Sequence, residues 1–165
     1  MSVLNSKPEN IKKELDKALD AGSLRSSNLI LLALADSEQS FLAMQDNAID
    51  IRNVSKYLAE RLLVMSRKER KDNVSNLLAG LVNECGSICC FERIGLLFDS
   101  SLKIDPLKLL QRAARKKPIV VFWSGDIDAS SLSYSKPGRS DYKSYSLNQL
   151  QEVQVITTCI QGVNE

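Results

Sequence analysis

Residues Leu29-Ile30-Leu31-Leu32-Ala33-Leu34-Ala35 form an unbroken apolar run between polar stretches. A short run without polar alternation predicts a strand buried on both faces. Upstream, Ser6-Lys7-Pro8-Glu9 has capping-box spacing, and Ile11, Leu15, Ala18 and Leu19 recur at helical intervals as far as Gly22, which predicts a helix over about 6–22. Downstream, Phe41 and Met44 open a short helix and residues 48–54 read as a second strand. Tyr57, Leu58, Arg61, Leu62 and Met65 trace one helical face. A second capping box at Ser66–Glu69 then opens a helix striped by Val74, Leu77, Leu78, Leu81 and Val82.

Residues 87–91 predict a third strand, followed by apolar Ile94, Leu96, Leu97 and Phe98. Asp105 and Pro106 suit the N-cap and first turn of a helix whose apolar side is Leu107, Leu110 and Ala114. Residues 119–123 are a fourth strand and 153–158 a β-branched last one. Between them, about 126–150 is a Ser-, Gly- and Pro-rich excursion. Strands alternating with helices imply an α/β, doubly wound, mostly parallel sheet with flanking helices. At 165 residues the chain is expected to be one domain, 1–165, around one core.

Composition narrows the function. With 44% hydrophobic and 25% charged residues the chain is ordinary globular protein, and 22 basic against 20 acidic residues give no overall commitment to nucleic acid or membrane. The cysteines are Cys85, Cys89, Cys90 and Cys159, and no histidine is available to complete a mixed zinc site, so no metal is expected. Cys89 and Cys90 are adjacent and would face opposite sides of a strand. Reduced, packed thiols suit a cytoplasmic location, and the longest apolar run is too short to span a bilayer.

The loop after the first apolar strand is where a P-loop would place G-x-x-x-x-G-K-[ST], whose amides and lysine hold phosphates. Here the eight residues are Ala33-Leu34-Ala35-Asp36-Ser37-Glu38-Gln39-Ser40. Ser40 alone fits. Ala33 and Glu38 replace the glycines, Gln39 replaces the lysine, and Asp36 and Glu38 would repel a triphosphate; the plain alternative is an ordinary strand-to-helix loop. Glu92, at the tip of the third strand, is a Walker B-like candidate, with a structural or solvated role as the alternative. Ser124 lies at the carboxyl end of the fourth strand, where such sheets place ligands, and Trp123 beside it reads as core. Arg112, Arg115, Lys116 and Lys117 are candidates for nucleic-acid or intersubunit contacts, or simply complement a helix dipole.

A wider pattern joins these positions. It comprises Ile94-Gly95-Leu96-Leu97-Phe98-Asp99, the run from Leu102 through Asp105-Pro106 to Arg112, Ile119-Val120-Val121, Trp123 with Gly125, and Leu132 with Tyr134. Pro137-Gly138 through Asp141-Tyr142 to Tyr145 continue it, and Leu58-Ala59-Glu60-Arg61-Leu62-Leu63 with the helix after Ser66 extend it upstream. Over nearly its whole length the chain resembles the small P-loop proteins of type 3 BREX bacteriophage-exclusion systems, the BrxF family. The resemblance implies a P-loop NTPase-like, AAA-like fold that works with other proteins of a DNA-modifying, phage-excluding system. It sets the family's glycine-rich loop on Ala33–Ser40, its Walker B aspartate on Glu92 and the following acid on Gly95.

Those departures remove stabilisation on the order of several kcal/mol from a phosphoryl-transfer transition state. The expectation is a catalytically impaired subunit acting in assembly or regulation of a defence complex, as a homo- or hetero-oligomer. ATP and Mg²⁺ are the cofactors its degenerate site would take if it still binds. DNA would be met through the complex, and no membrane is involved. Two alternatives stand beside it: a working ATPase using Ser40, Glu92 and Ser124, and a DNA-contacting accessory subunit using Arg112–Lys117 with Lys136, Arg139 and Lys143. The lost loop counts against the first and the near-neutral charge against the second.

Overall fold

The computed structural model describes residues 2–22, 28–35, 50–128 and 130–158. The loop Asp36–Ser40, the short helix expected at Phe41 and Met44, and Cys159 lie outside them. The described elements are β1 (Ser2–Asn5), α1 (Ile11–Gly22), β2 (Leu29–Ala33), β3 (Asp50–Asn53), α2 (Val54–Leu62) and α3 (Arg67–Glu84). After these come β4 (Cys89–Glu92), α4 (Pro106–Ala113), β5 (Ile119–Phe122), β6 (Ser131–Tyr134), β7 (Lys143–Ser146) and β8 (Val153–Thr157). Six strands pair in parallel in the order β1-β8-β2-β5-β4-β3, while β6 and β7 form a separate antiparallel hairpin. This is a doubly wound, P-loop NTPase-like α/β layout. Among the described residues, no helix is long and apolar enough to cross a membrane.

Strand periodicity divides the interior into two layers. On one face of the sheet Leu29, Leu31, Cys89, Phe91, Val121 and Val155 pack beneath α2, α3, α4 and the hairpin. On the other, Ile30, Leu32, Cys90, Val120, Phe122 and Ile156 pack with Ile11 and Leu15 of α1. Every residue of β2 from Leu29 to Leu32 is therefore buried, as the unbroken apolar run requires, and Cys89 and Cys90 sit on opposite faces as alternation demands.

Local signals hold where the partner atoms are local. At the start of α3, the Ser66 N–H donates to the Glu69 carboxylate at 2.7 Å and the Glu69 N–H donates to Ser66 Oγ at 3.3 Å, the full capping box. Asp105 Oδ1 accepts from the N–H groups of Leu107 and Lys108 ahead of α4.

Three expectations change. Ser6 makes no capping box: Pro8 holds Lys7 extended, the Ser6 hydroxyl donates to the Lys7 carbonyl, and a 3₁₀ turn at Pro8–Asn10 precedes α1. Residues 2–5, for which the sequence pattern gives no element, form β1, paired to β8 with Val3 opposite Val155. The Ser/Gly/Pro-rich excursion is the β6–β7 hairpin, with Leu132 facing Tyr145.

Candidate functional site

In an open parallel sheet, ligands sit outside the carboxyl ends of the strands where the chain changes direction about a central strand. Here the chain leaves β2 toward the β3 edge, returns through β4 and β5, and then passes through the hairpin to β8 on the other side of β2. The switch therefore falls at the carboxyl ends of β2, β5 and β8. Pairing aligns Leu32 with Phe122, Phe91 with Val121, Ala33 with Thr157 and Asn53 with Glu92. Ala33, Trp123 and Glu92 thus lie along one end of the sheet. Ala33 and Glu92 are two strands apart, roughly 10 Å at ordinary strand spacing.

The first turn beyond β2 is tied down. Thr157 is buried, and its Oγ1–H donates to the Ala33 carbonyl at 3.0 Å. The Trp123 N–H donates to the Leu32 carbonyl at 2.9 Å, continuing the β2–β5 ladder past the last strand residue. Of the degenerate loop, Ala33 stands on this framework; Asp36, Glu38, Gln39 and Ser40 lie outside the described residues.

The crevice beyond β4 and β5 is filled from above by the hairpin. Trp123 is buried, and its Nε1–H donates to the Ser133 carbonyl at 2.9 Å. Gly125 lets the hairpin backbone approach, since a Cβ there would lie 1.7 Å from the Ser133 carbonyl oxygen. This contact sets Tyr134 among aromatics. Its ring stacks on Phe98 with centroids 3.7 Å apart and meets Trp123 edge-on at 5.7 Å, with Phe98 and Trp123 also edge-on at 5.8 Å. The Tyr134 hydroxyl then reaches Gly95, where a Cβ would stand 2.9 Å away. Burial pushes the Tyr134 phenol up and the Asp141 charge adds to this, while a hydrogen bond with the Ser124 side chain and the Arg139 charge oppose it. Ser124 remains exposed.

Glu92 is half-buried at the end of β4. Its charge adds to the effect of burial in pushing the Cys90 thiol up to about 12. The chain turns sharply beyond it: Arg93 has φ 52°, and its carbonyl accepts both the N–H and the hydroxyl of Ser55. The Ser55 Oγ in turn accepts the Leu96 N–H at 3.0 Å, and Asn53 Oδ1 accepts the Lys56 N–H at the start of α2. Ser55 thus pins the β4 exit loop that carries Gly95. Among the described residues, no group of three or more His, Cys, Asp or Glu side chains is placed to hold a metal. Among the described residues, the strand ends offer the Glu92 carboxylate, the exposed Ser124 hydroxyl and the half-buried Tyr134 phenol bonded to it, an arrangement suited to hydrogen bonding and packing.

The basic residues named from the sequence lie elsewhere. α4 runs antiparallel to the strands it joins, so Arg112, Arg115, Lys116 and Lys117 fall at the amino end of β5, away from Glu92 and Ser124. Lys117 is occupied there, its ammonium donating to the Val82 and Cys85 carbonyls at 2.9 Å each and closing the end of α3. Arg112, Arg115 and Lys116 are exposed. The structure therefore brings Ala33, Glu92 and Ser124 to one end of the sheet and separates the cations from them. Sequence reasoning missed the parts played by Tyr134, Thr157 and Ser55; the signal for the first was a glycine at 95 with an aromatic-rich excursion downstream.

Comparison of the chain with protein-family models, with curated proteins and with solved structures returned no match.

Proposed function

We propose that this chain is a catalytically impaired, P-loop NTPase-like subunit that assembles or regulates a BREX-type phage-defence complex, with other proteins of that system as its partners. The observation that carries the impaired reading is the Tyr134 hydroxyl at Gly95. A phosphoryl-transfer site needs a carboxylate near the Walker B-like acid to organise the attacking water. At this corner the chain has no side chain on residue 95, and a phenol held by Phe98 and Trp123 takes the space. Further support comes from Gln39, whose neutral amide supplies none of the charge of a P-loop lysine. The link to phage defence rests on the sequence resemblance across residues 58–145.

Phosphate release by the purified chain, run beside calorimetric titration with a non-hydrolysable ATP analogue, tests the impaired reading. Release at background level is expected, and it stays there when Ala33→Gly, Glu38→Gly and Gln39→Lys are combined, although the triple variant gains nucleotide affinity. Turnover that Glu92→Gln abolishes would restore the enzyme. Co-expression with the remaining proteins of a type 3 BREX operon tests the partner: a stoichiometric complex is expected, and purification of this chain alone from that background counts against it.

A further inference from the structure

We infer that the flank built by α2, the first turns of α3 and the 3₁₀ turns after β4 is a docking surface for an acidic, apolar-anchored segment of a partner protein. Leu63 and Val64, in the turn between α2 and α3, are 74% and 88% exposed. Beside them lies a groove of about 110 Å³ walled by Ala59, Leu62, Leu96 and Leu102, with Arg70 and Asp99 at its margin. The turn is fixed. Arg70 Nε–H donates to the Leu62 and Met65 carbonyls at 2.9 and 3.0 Å, the Met65 N–H returns to the Leu62 carbonyl, and the Ser66–Glu69 capping box closes it. Two large aliphatic side chains are thus held out in water by a turn with little freedom to bury them.

Charge selects the occupant. Residues 60–72 carry the cations Arg61, Arg67, Lys68, Arg70 and Lys71 against the acids Glu60, Glu69 and Asp72. Glu69 is taken by the Ser66 N–H, Asp99 by the Ser101 N–H at 2.8 Å, and Glu60 lies 3.9 Å from Arg61. Arg67, Lys68 and Lys71 are exposed; the Arg67 and Arg70 charges act on Asp99, while among the described residues Lys68 and Lys71 make no ion pair. They occupy the first turns of α3, where the helix dipole disfavours cations. An apolar side chain in the groove with flanking carboxylates relieves the exposed aliphatics and the two unpaired lysines together. A second copy of the chain would oppose like charges across the interface, and duplex DNA offers nothing for Leu63 and Val64 to bury. This surface is independent of the nucleotide-site reading.

Panning a displayed library of random peptides on the full chain, then titrating a synthetic copy of a recovered sequence, tests it. Recovered peptides are expected to set Asp or Glu around Leu, Ile, Met or Phe. Leu63→Ser with Val64→Ser should weaken the synthetic peptide about tenfold or more, and Lys68→Glu with Lys71→Glu about tenfold at low salt, with melting temperatures unchanged. Val64→Glu alone, at the more exposed position, should also weaken it and serves if the double serine variant fails to fold. The proposal is overturned if no peptide is recovered, if the peptides lack acids, or if binding ignores these variants. It is equally overturned if duplex DNA or phosphatidylserine vesicles, rather than peptides, bind through the same residues.

Discussion

The Tyr134 hydroxyl oxygen stands 2.9 Å from where a Cβ of residue 95 would be, and the Tyr134 ring is held by its stack on Phe98. A side chain at 95 and a phenol at 134 therefore compete for one space. Gly95→Ala should cost about 1–3 kcal/mol, the usual range for overpacking a filled site. Tyr134→Phe removes the oxygen in conflict, so the double variant should recover roughly 1 kcal/mol of that cost. Urea denaturation of the four proteins in the cycle measures the coupling. Strict additivity would show that Tyr134 does not close the corner.

Docking of the hairpin has its own reporter, because Trp123 is the sole tryptophan. Gly125→Ala sets a Cβ 1.7 Å from the Ser133 carbonyl oxygen and 2.7 Å from Trp123 Nε1, an overlap that only backbone movement relieves. A loss on the order of 3 kcal/mol or more is expected. Emission should shift to the red, and limited proteolysis should cut within residues 135–142. A variant with native emission, native melting and no new cleavage would mean that the approach of Ser133 is unimportant to the fold.

Lys117 separates a structural cation from a binding one. Its ammonium satisfies the Val82 and Cys85 carbonyls, so Lys117→Met should lower stability by about 1–3 kcal/mol by leaving them without a donor. Duplex DNA binding by the isolated chain is expected to be weak or absent, and Lys117→Met should leave it so. A tight, salt-dependent complex lost on neutralising Arg112, Arg115 and Lys116 would instead mark those exposed residues as a phosphate strip.

Stability should respond to alkali. Burial pushes Cys89 and Cys90 from an ordinary 9.0 up to about 12, and pushes the Tyr145 phenol up from 10.0. Each folded value lies above its unfolded one, so the stabilisation is complete below about 9 and is lost as pH rises toward 12. Urea midpoints should hold from neutral pH to about 8.5 and fall beyond about 9, with a shallower fall in Cys90→Ala. A midpoint that is flat across that range would show that the thiols are not sequestered. At the other end, hydrogen bonds from Ser130 and Ser131 hold Asp128 down to about 2, a contribution lost as pH falls from 3.8 toward 2.

Much of this protein was written locally. The apolar run at 29–35 could satisfy its burial only in the middle of a covered sheet, and β2 is there. Ser66 with Glu69, and Asp105 with Pro106, each carry donor and acceptor within a few residues, so capping needed nothing distant. Alternation alone sent Cys89 and Cys90 to opposite faces and left Glu92 at a strand tip.

The rest depended on atoms far apart in the chain. β1 is four residues with little pattern of its own, and it becomes a strand because β8 offers an unpaired edge 152 residues beyond Ser2, at Gln154. Thr157 reaches Ala33 across 124 positions, and the excursion becomes a hairpin seated on Trp123. Hydrophobic periodicity records which face of an element is buried, whereas these contacts are backbone, hydroxyl and indole hydrogen bonds whose partners exist only once the sheet has assembled. The sequence by itself determined the central strand, the caps at Ser66 and Asp105, and the alternation of strands and helices around them. Tertiary structure decided that Gly95, Ser124 and Tyr134 share one corner, because closing the sheet brings the β4 exit, the β5 exit and the hairpin to the same end.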